Sequence, residues 1–218
     1  MKTIDLIRNF LDLQNSYSFT KRALITAERY VNIAHSGLVD KKDYSNEILR
    51  EPLMEHVGHL PIMASYFHPH IRHSKDVDLG RSLIMLSIHD IGETVTGEIF
   101  SYHRTKQDDK DEIEAARKII HPDLKVYLEE FEESETLDAK YAKSIDALAP
   151  NIYQVCMPKI TMARFNSLNA TVDDIVDKKR KLMEWDSVLL EIFDLLMEQY
   201  DHVDDANFHF KTFSYDDI

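Results

Sequence analysis

The segment Ile84–Glu98 concentrates side chains that can bind a metal ion or transfer a proton. Its sequence, IMLSIHDIGETVTGE, carries an apolar run into His89 and Asp90 and places Glu93 one turn later. His89 and Glu93 are four residues apart and therefore share one face of a helix. Neighbouring residues point about 100° apart, so His89 and Asp90 can share one ion where the helix ends or where the ion lies between helices. The pattern predicts a divalent cation held by imidazole and carboxylate groups, with a further carboxylate that manages a water molecule.

Residues of the same types also occur on other apolar helices. His56 follows Glu55 on a helix with an apolar face, and Asp146 lies on a later one. Each has an ordinary explanation when taken alone, since the chain has 11 His residues and a helical Asp can simply be exposed. A buried imidazole or carboxylate on an apolar face is costly unless it is paired or bound to a metal. The order His56, then His89–Asp90, then Asp146 therefore favours a shared functional site.

This order of residues resembles that of the HD-domain metal-dependent phosphohydrolases, an all-α family whose four metal ligands come from separate helices. The longer match consists of Arg50 with Glu55 and His56, then His89-Asp90-x-x-Glu93-x-x-x-Gly97-Glu98, then Lys110-x-x-x-Glu114-x-Ala116. These motifs resemble the branch of the family that contains the 5′-deoxynucleotidases. The resemblance spans roughly residues 50–148, and the rest of the chain matches only as generic helices.

The resemblance implies a role for each matching residue. The implied metal ligands are His56, His89, Asp90 and Asp146. Glu93 matches the carboxylate that orients or activates the attacking water. Glu98 stands where the branch usually has Asp, in a turn that helps to hold the substrate. The branch also has an Arg–Trp pair before the first ligand, whereas Trp185 is the only Trp of this chain.

Further charged and ligand-type residues are weaker candidates. Arg50 and Lys110 are candidate phosphate contacts, with ordinary surface cations as the alternative. His59, His103 and His121 are candidates for a second metal site, although isolated His residues beside turns usually have structural roles. Mixed His and carboxylate ligation suits Mn, Fe, Co, Ni or Zn.

The composition predicts a single all-α domain. At 218 residues, with 44% hydrophobic residues, five Gly and six Pro, the chain can form long helices around its own core. We expect an HD-type helical bundle over residues 1–218, with a motif core at about 50–150 and a C-terminal helix at about 172–200 packed on it. The spacing of apolar residues predicts helices at Ile4–Leu13, Lys21 to about Ala34, Leu79–Ile88, Asp108–Ile120 and Leu137–Val155. Pro61 is expected to kink or interrupt the helix that begins near Pro52.

The charge and the distribution of apolar residues argue against a nucleic-acid partner and against a membrane span. The formal net charge of −13 argues against nucleic-acid binding, because nucleic acids are held mainly by Lys and Arg side chains. No apolar run approaches the roughly 20 residues of a membrane span.

The cysteine content and the N-terminus indicate the compartment. The single Cys, Cys156, indicates a reducing compartment, and the charged N-terminus does not resemble a signal peptide, so we expect a cytoplasmic protein. The apolar C-terminal helix favours a homodimer.

Together these features favour a metal-dependent phosphohydrolase acting on a small phosphorylated substrate, most plausibly a nucleoside 5′-monophosphate. Two alternatives remain open from the sequence. One is a phosphodiesterase or nucleotide-triphosphate hydrolase that uses the same metal. The other is a non-catalytic HD domain that binds a nucleotide through a vestigial site, and the retention of Glu93 argues against it.

Overall fold

The computed structural model describes residue 17 and residues 20–25, 50–99, 104–155 and 171–198. Its helices are α1 (Leu53–Phe67), α2 (Leu79–Ile88), α3 (Glu93–Thr96), α4 (Lys106–Ile119), α5 (Lys125–Glu133), α6 (Leu137–Val155), α7 (Val172–Lys179) and α8 (Ser187–Glu198). Short 3₁₀ turns lie at His68–His70, His89–Gly92, Pro122–Leu124 and Arg180–Leu182. The prediction of an all-α architecture is confirmed. The fold also contains a small antiparallel sheet of β1 (Lys21–Ile25) and β2 (Arg50–Pro52).

Helices α1, α2 and α6 pack on one another at the centre of the fold. Leu60 of α1, Leu86 of α2 and Ile145 of α6 are fully buried in the same hydrophobic cluster. The Tyr141 hydroxyl donates a 2.6 Å hydrogen bond to the Ala64 carbonyl and so joins α6 to α1 inside this core. Helix α5 packs on α2 and α6, and α8 packs on α6.

A smaller apolar cluster lies beneath the turn that follows α2. It brings together the start of α1, the end of α2 and one side of α4, and its buried members are Tyr17, Leu53, Val57, Ile88, Ile91, Ala116, Ile120 and Leu128. Burial of these side chains stabilises the turn at His89–Gly92 against the two helices that flank it.

Several predicted elements match the observed ones. Helices α2 and α6 have the predicted bounds, and α7 begins at Val172, where the expected C-terminal helix begins, with Thr171 as its cap. Helix α4 begins at Lys106, slightly earlier than predicted, because Thr105 and Asp108 form a reciprocal capping box.

Other predictions about helices are wrong. The helix expected from Lys21 begins instead as strand β1, whose backbone pairs with β2, a partner that local spacing does not reveal. Pro61 does not interrupt α1. Proline removes one backbone hydrogen bond from the helix, and the burial of Leu60 and Met63 in the core offsets this loss. The expected C-terminal helix is divided into α7 and α8 by a 3₁₀ turn and a new helix cap at Asp186.

Some predictions fall on residues outside the described ranges. These include the helix at Ile4–Leu13 and the residue Cys156. That residues 1–218 form one domain also stays a prediction. Within the described part of the chain, no helix is both long and apolar enough to cross a membrane.

Asp186 caps α8 and ties it to the segment between α1 and α2. Its fully buried carboxylate accepts hydrogen bonds from the backbone N–H groups of Val188 at 3.0 Å and Leu189 at 3.3 Å. It also accepts one from the backbone N–H of His73 at 3.0 Å and lies 3.1 Å from His73 Nδ1. Burial opposes its charge, but these donors outweigh burial and lower the pKa of Asp186.

We expect Asp186→Ala to lower the free energy of unfolding by about 2–4 kcal/mol, because it removes a helix cap and leaves buried N–H groups without a partner. Urea unfolding at pH 7 measures this change. The exposed Asp177→Ala on α7 is the matched control and should change stability by less than about 0.5 kcal/mol. Equal losses in the two variants would contradict the role of Asp186.

The same variant has a predictable pH dependence. Because the pKa of Asp186 is lower in the folded state, its carboxylate stabilises the fold above the ordinary aspartate pKa of about 3.9, and this contribution disappears as the pH falls through the folded-state pKa. The stability difference between wild type and Asp186→Ala should therefore shrink as the pH is lowered below about 4.

Candidate metal centre

The packing of α1, α2 and α6 brings the four predicted ligands together. His56 lies on the buried face of α1, Asp146 lies on α6, and His89 and Asp90 follow the last residue of α2. The chain changes there from α-helix to a 3₁₀ turn, with Ile88 at φ −124° and ψ −12°. The end of the regular helix allows the side chains of His89 and Asp90 to converge on one space, which a straight helix would not permit.

The ligand-type atoms of these residues lie at close range. His56 Nε2 is 3.1 Å from Asp146 Oδ1 and 3.5 Å from Asp90 Oδ2. His89 Nε2 is 3.1 Å from Asp90 Oδ1 and 3.4 Å from Asp146 Oδ1. Two imidazole nitrogens and two carboxylates therefore surround a single small space between the three helices.

The environment of His89 fits a metal ligand. Its Nδ1 lies 3.1 Å from the carbonyl oxygen of Leu86, so the ring donates there and directs the lone pair of Nε2 towards the carboxylates. Within the described residues this buried Nε2 has no hydrogen bond, although Asp90 and Asp146 lie within ion-pair distance. A lone pair facing two carboxylates is unfavourable unless a proton or a cation lies between them. The donor set of two imidazoles and two carboxylates fits a divalent transition-metal ion.

The electrostatics of the four residues lead to the same interpretation. Burial lowers the pKa of His89, but the charges of Asp90 and Asp146 outweigh burial and raise it well above its ordinary value. Burial raises the pKa of Asp146, but His89 and then His56 outweigh it and hold the pKa well below its ordinary value. The site strongly favours positive charge in its centre, where a divalent cation would compete with the imidazole protons.

A group of carboxylates adjoins the ligand site. Asp90, Glu93 and Glu112 each place an oxygen within 4.8 Å of the other two. Glu93 is 3% exposed and begins α3 directly after the 3₁₀ turn. Glu112 comes from α4 and forms an ion pair with Arg104. Burial raises the pKa of Glu112 to about 7, although the positive charge of Arg104 lowers it. The negative charge of Asp90 also raises it, by less than burial does.

Gly92 permits this close approach of α4. A Cβ atom at Gly92 would collide with the backbone carbonyl oxygen of Glu112 and would lie 2.8 Å from its Cγ. The absence of a side chain at this position allows the turn and α4 to meet backbone against backbone, which places the Glu112 carboxylate beside Asp90 and Glu93.

The other predicted substrate contacts lie just after α3, on α4 and in β2. Glu98 is half-buried and follows Gly97, whose φ of +73° ends α3 in a conformation that suits glycine. Lys110 is exposed on α4, and it lies two residues from Glu112, a separation that points it to a different side of the helix. Arg50 lies in β2, and the position of its side chain is outside the described structure.

The His residues considered for a second ion are scattered. His59 is half-buried on α1, whereas the exposed His121 caps a 3₁₀ turn, with its Nδ1 accepting a 3.3 Å hydrogen bond from the Asp123 N–H. His103 lies outside the described ranges. Neither His59 nor His121 belongs to a group of converging ligand-type side chains in the described part of the chain.

Three residues of the site were not predicted. Glu112 shares its side of α4 with the buried residues Ala115 and Ala116, and an acid on the buried side of an amphipathic helix is the signal that could have identified it. Tyr17 is 5% exposed, and burial followed by the charges of Asp90 and Glu93 raises its pKa. Arg104 pairs with Glu112, and its Nε also lies 3.0 Å from Asp109. No periodicity in the sequence marks Tyr17 or Arg104.

Comparisons with known proteins agree with this architecture. Residues 42–187 match the model of a protein family described as HD domain. No curated protein matches the chain. A crystal structure from Magnetospirillum magnetotacticum MS-1, described as a predicted metal-dependent phosphohydrolase, superposes with a TM-score of 0.69 at 21% sequence identity, covering 91% of this chain and 94% of that chain. At this identity the likeness shows a shared fold. The family model covers more than half of the sequence, and the chain therefore belongs to the HD-domain family.

Proposed function

We propose that this protein is a cytoplasmic, metal-dependent phosphohydrolase that removes phosphate from nucleoside 5′-monophosphates. The observation that carries the proposal is the convergence of His56, His89, Asp90 and Asp146, with contacts of 3.1–3.5 Å, next to the buried Glu93. Membership of the HD-domain family supports a hydrolase, and the structural neighbour is described as a predicted metal-dependent phosphohydrolase. The preference for nucleotides rests on the resemblance of the sequence motifs to the 5′-deoxynucleotidases.

In this proposal the four converging residues hold one divalent ion, drawn from Mn, Fe, Co, Ni or Zn. The bound ion supplies Lewis acidity and offsets the negative charge of the phosphoryl group. The surrounding helices contribute rigidity, because each ligand comes from a segment that is anchored in the core.

Glu93 is the proposed general base. It lies one helical turn after His89, its carboxylate is buried, and an oxygen of it lies within 4.8 Å of Asp90. From this position it accepts a proton from the water that attacks phosphorus. The hydrolysis cleaves the bond between phosphorus and the ester oxygen and yields inorganic phosphate and the nucleoside.

Substrate contacts are proposed at the edge of the same site. Glu98, Arg50 and Lys110 remain candidates because of their positions in the motifs. Arg104 is an additional one, because it forms an ion pair with Glu112, whose carboxylate adjoins Asp90 and Glu93. Lys178 is another, since burial and then the positive charge of Arg104 lower its pKa.

Removal of a ligand tests the metal site. His89→Ala is expected to purify with much less than one equivalent of transition metal, whereas wild type and the exposed His70→Ala retain it. Elemental analysis of the purified proteins measures this difference. Chelation should also lower the melting temperature of wild type, since a ligand that binds only the folded state adds a few kcal/mol at concentrations well above its Kd. Equal metal content in His89→Ala and wild type would rule out His89 as a ligand.

A substitution at Glu93 tests the reaction. Glu93→Gln is expected to retain the metal but to lose about 10²–10⁴-fold in kcat, because the amide cannot accept a proton at neutral pH. Phosphate release from nucleoside monophosphates, with each of the five metals supplied separately, measures the loss. Glu191→Gln, an exposed substitution on α8, is the matched control and should hydrolyse at the wild-type rate.

The same assay separates the alternative functions. Release of pyrophosphate or of a larger anion from other nucleotides would favour the diesterase or triphosphatase alternative. If wild type releases no phosphate from any nucleotide with any of the five metals, the non-catalytic binding domain becomes the better interpretation.

The chain is also proposed to form a homodimer.

A further inference from the structure

Helix α6 carries a cation next to one of the predicted ligands. Lys143 precedes Asp146 by three residues, so the two side chains lie on the same side of the helix. Both residues are half-buried, whereas Ser144 and Ile145 between them are buried. The Asp146 side chain is 32% exposed, against 12% for that of Asp90. The candidate metal centre is therefore more accessible beside α6, on the side of the helix that carries Lys143.

Lys143 also approaches the ligand His89 through an aromatic ring. Its ammonium nitrogen lies 4.8 Å from the centre of the Phe131 ring, and the centre of that ring lies 4.9 Å from the centre of the His89 ring. Phe131 is buried on α5 as part of the main hydrophobic cluster, so its ring has a fixed position. Because one fixed ring contacts both the cation and a ligand, Lys143 lies at the edge of the candidate metal centre.

The positive charge of Lys143 is not used in an ion pair within the described part of the chain. The acid on its side of α6, Asp146, instead directs Oδ1 at His56 Nε2 and His89 Nε2, which lie 3.1 and 3.4 Å away. The contact of Lys143 with Phe131 is a cation–π interaction, which holds the ammonium group without occupying its N–H donors. The flexible four-carbon stem allows this group to move to another partner. Lys143 can therefore donate to an anion that enters the site.

Arg104, the cation on the opposite side of the carboxylate group, is already paired. Its Nε lies 3.0 Å from Asp109 Oδ1, and its guanidinium also forms an ion pair with Glu112. An entering anion would compete with both carboxylates for the same donors. The charge of Arg104 is thus largely offset within the protein, whereas that of Lys143 is not.

The charges of the site explain why a further cation is needed. When Asp90, Glu93 and Asp146 are ionised, their negative charge exceeds what one divalent ion offsets. A phosphate dianion that approaches this site is repelled by the remaining negative charge, in a chain whose net charge is −13. A positive charge at the edge of the site reduces this repulsion where the anion arrives.

We propose that Lys143 binds the phosphate group of the substrate, and of the inorganic phosphate product, at the edge of the candidate metal centre between α5 and α6, an assignment that rests on the proposed function. The ammonium group leaves the Phe131 ring and donates hydrogen bonds to phosphoryl oxygens as a point charge. Because substrate and product carry the same group, Lys143 strengthens the binding of both and has little effect on the hydrolysis step itself.

Isothermal titration of inorganic phosphate into the full-length protein loaded with Mn²⁺ tests the assignment. Lys143→Met retains a long apolar side chain over Phe131 but removes the charge. It should weaken phosphate binding about tenfold, the lower end of what a hydrogen bond to a charged group contributes, and leave the metal content and the melting temperature unchanged. Lys143→Arg should restore most of the affinity, because a guanidinium also binds phosphate.

Lys140→Met is the matched control. Lys140 is also half-buried on α6, and within the described residues it makes no ion pair or ring contact, so its substitution should leave phosphate binding at the wild-type level. The kinetic constants give a second readout. With nucleoside monophosphates, Lys143→Met should raise KM about tenfold and change kcat by less than about threefold, because a contact made equally to the substrate and the transition state contributes to binding alone.

Equal phosphate affinity in wild type and Lys143→Met would overturn the assignment. A loss of the same size in Lys140→Met, or a wild type that binds no phosphate, would overturn it as well. Phosphate binding does not require turnover, and this separates the assignment from the proposed function. A wild type that binds phosphate through Lys143 but hydrolyses no nucleotide would support the assignment and contradict only the proposed function.

Discussion

The constraint on which this structure depends is the convergence of two imidazoles and two carboxylates on one small space, where His56, His89 and Asp90 are buried and Asp146 is half-buried. Charged and polar groups cost several kcal/mol to remove from water, and the cost is recovered only when opposite charges and donors are held in good geometry. Here the contacts between His56, His89, Asp90 and Asp146 range from 3.1 to 3.5 Å. Each of the three central helices supplies at least one of these groups, directly or at its end. The packing of the three helices therefore determines which groups meet in the site, and the pairing of these groups in turn stabilises the packing.

Asp90 connects the ligand site to the carboxylates around Glu93. One of its oxygens faces His89 and the other faces His56, and the same side chain lies within reach of Glu93 and Glu112. A cation bound to the histidines would also attract the negatively charged carboxylates of this second group. The arrangement allows a cation to be bound in one space and a proton to be accepted in the adjacent space, with Asp90 common to both.

The sequence predicted the parts of the structure that depend on periodicity and local capping. Helices α2 and α6 have their predicted bounds because their apolar residues recur with helical spacing, and Thr171 caps α7 through local hydrogen bonds. The four candidate residues could be singled out because imidazole and carboxylate groups on apolar helices are costly unless they are paired or bound to a metal, and the resemblance of the motifs implied that they are ligands. What the sequence did not reveal depends on contacts between distant segments. Strand β1 requires its partner β2, and Glu112 reaches the site only because α4 packs against Gly92.

The contact at Gly92 has a mechanical consequence. Side chains adjust through their rotamers, but a contact between two backbones has no such freedom, so the separation between the turn and α4 is set by the chain itself. The Glu112 carboxylate can change its distance from Asp90 by rotating, or α4 can move as a whole, and the latter requires displacing Ala116 and Ile120 from the apolar cluster beneath the turn. Helix α4 therefore acts as a stiff spacer that sets the width of the space beside the carboxylate group on that side. Substitutions at the surface of α4 can alter what enters the site without altering this width.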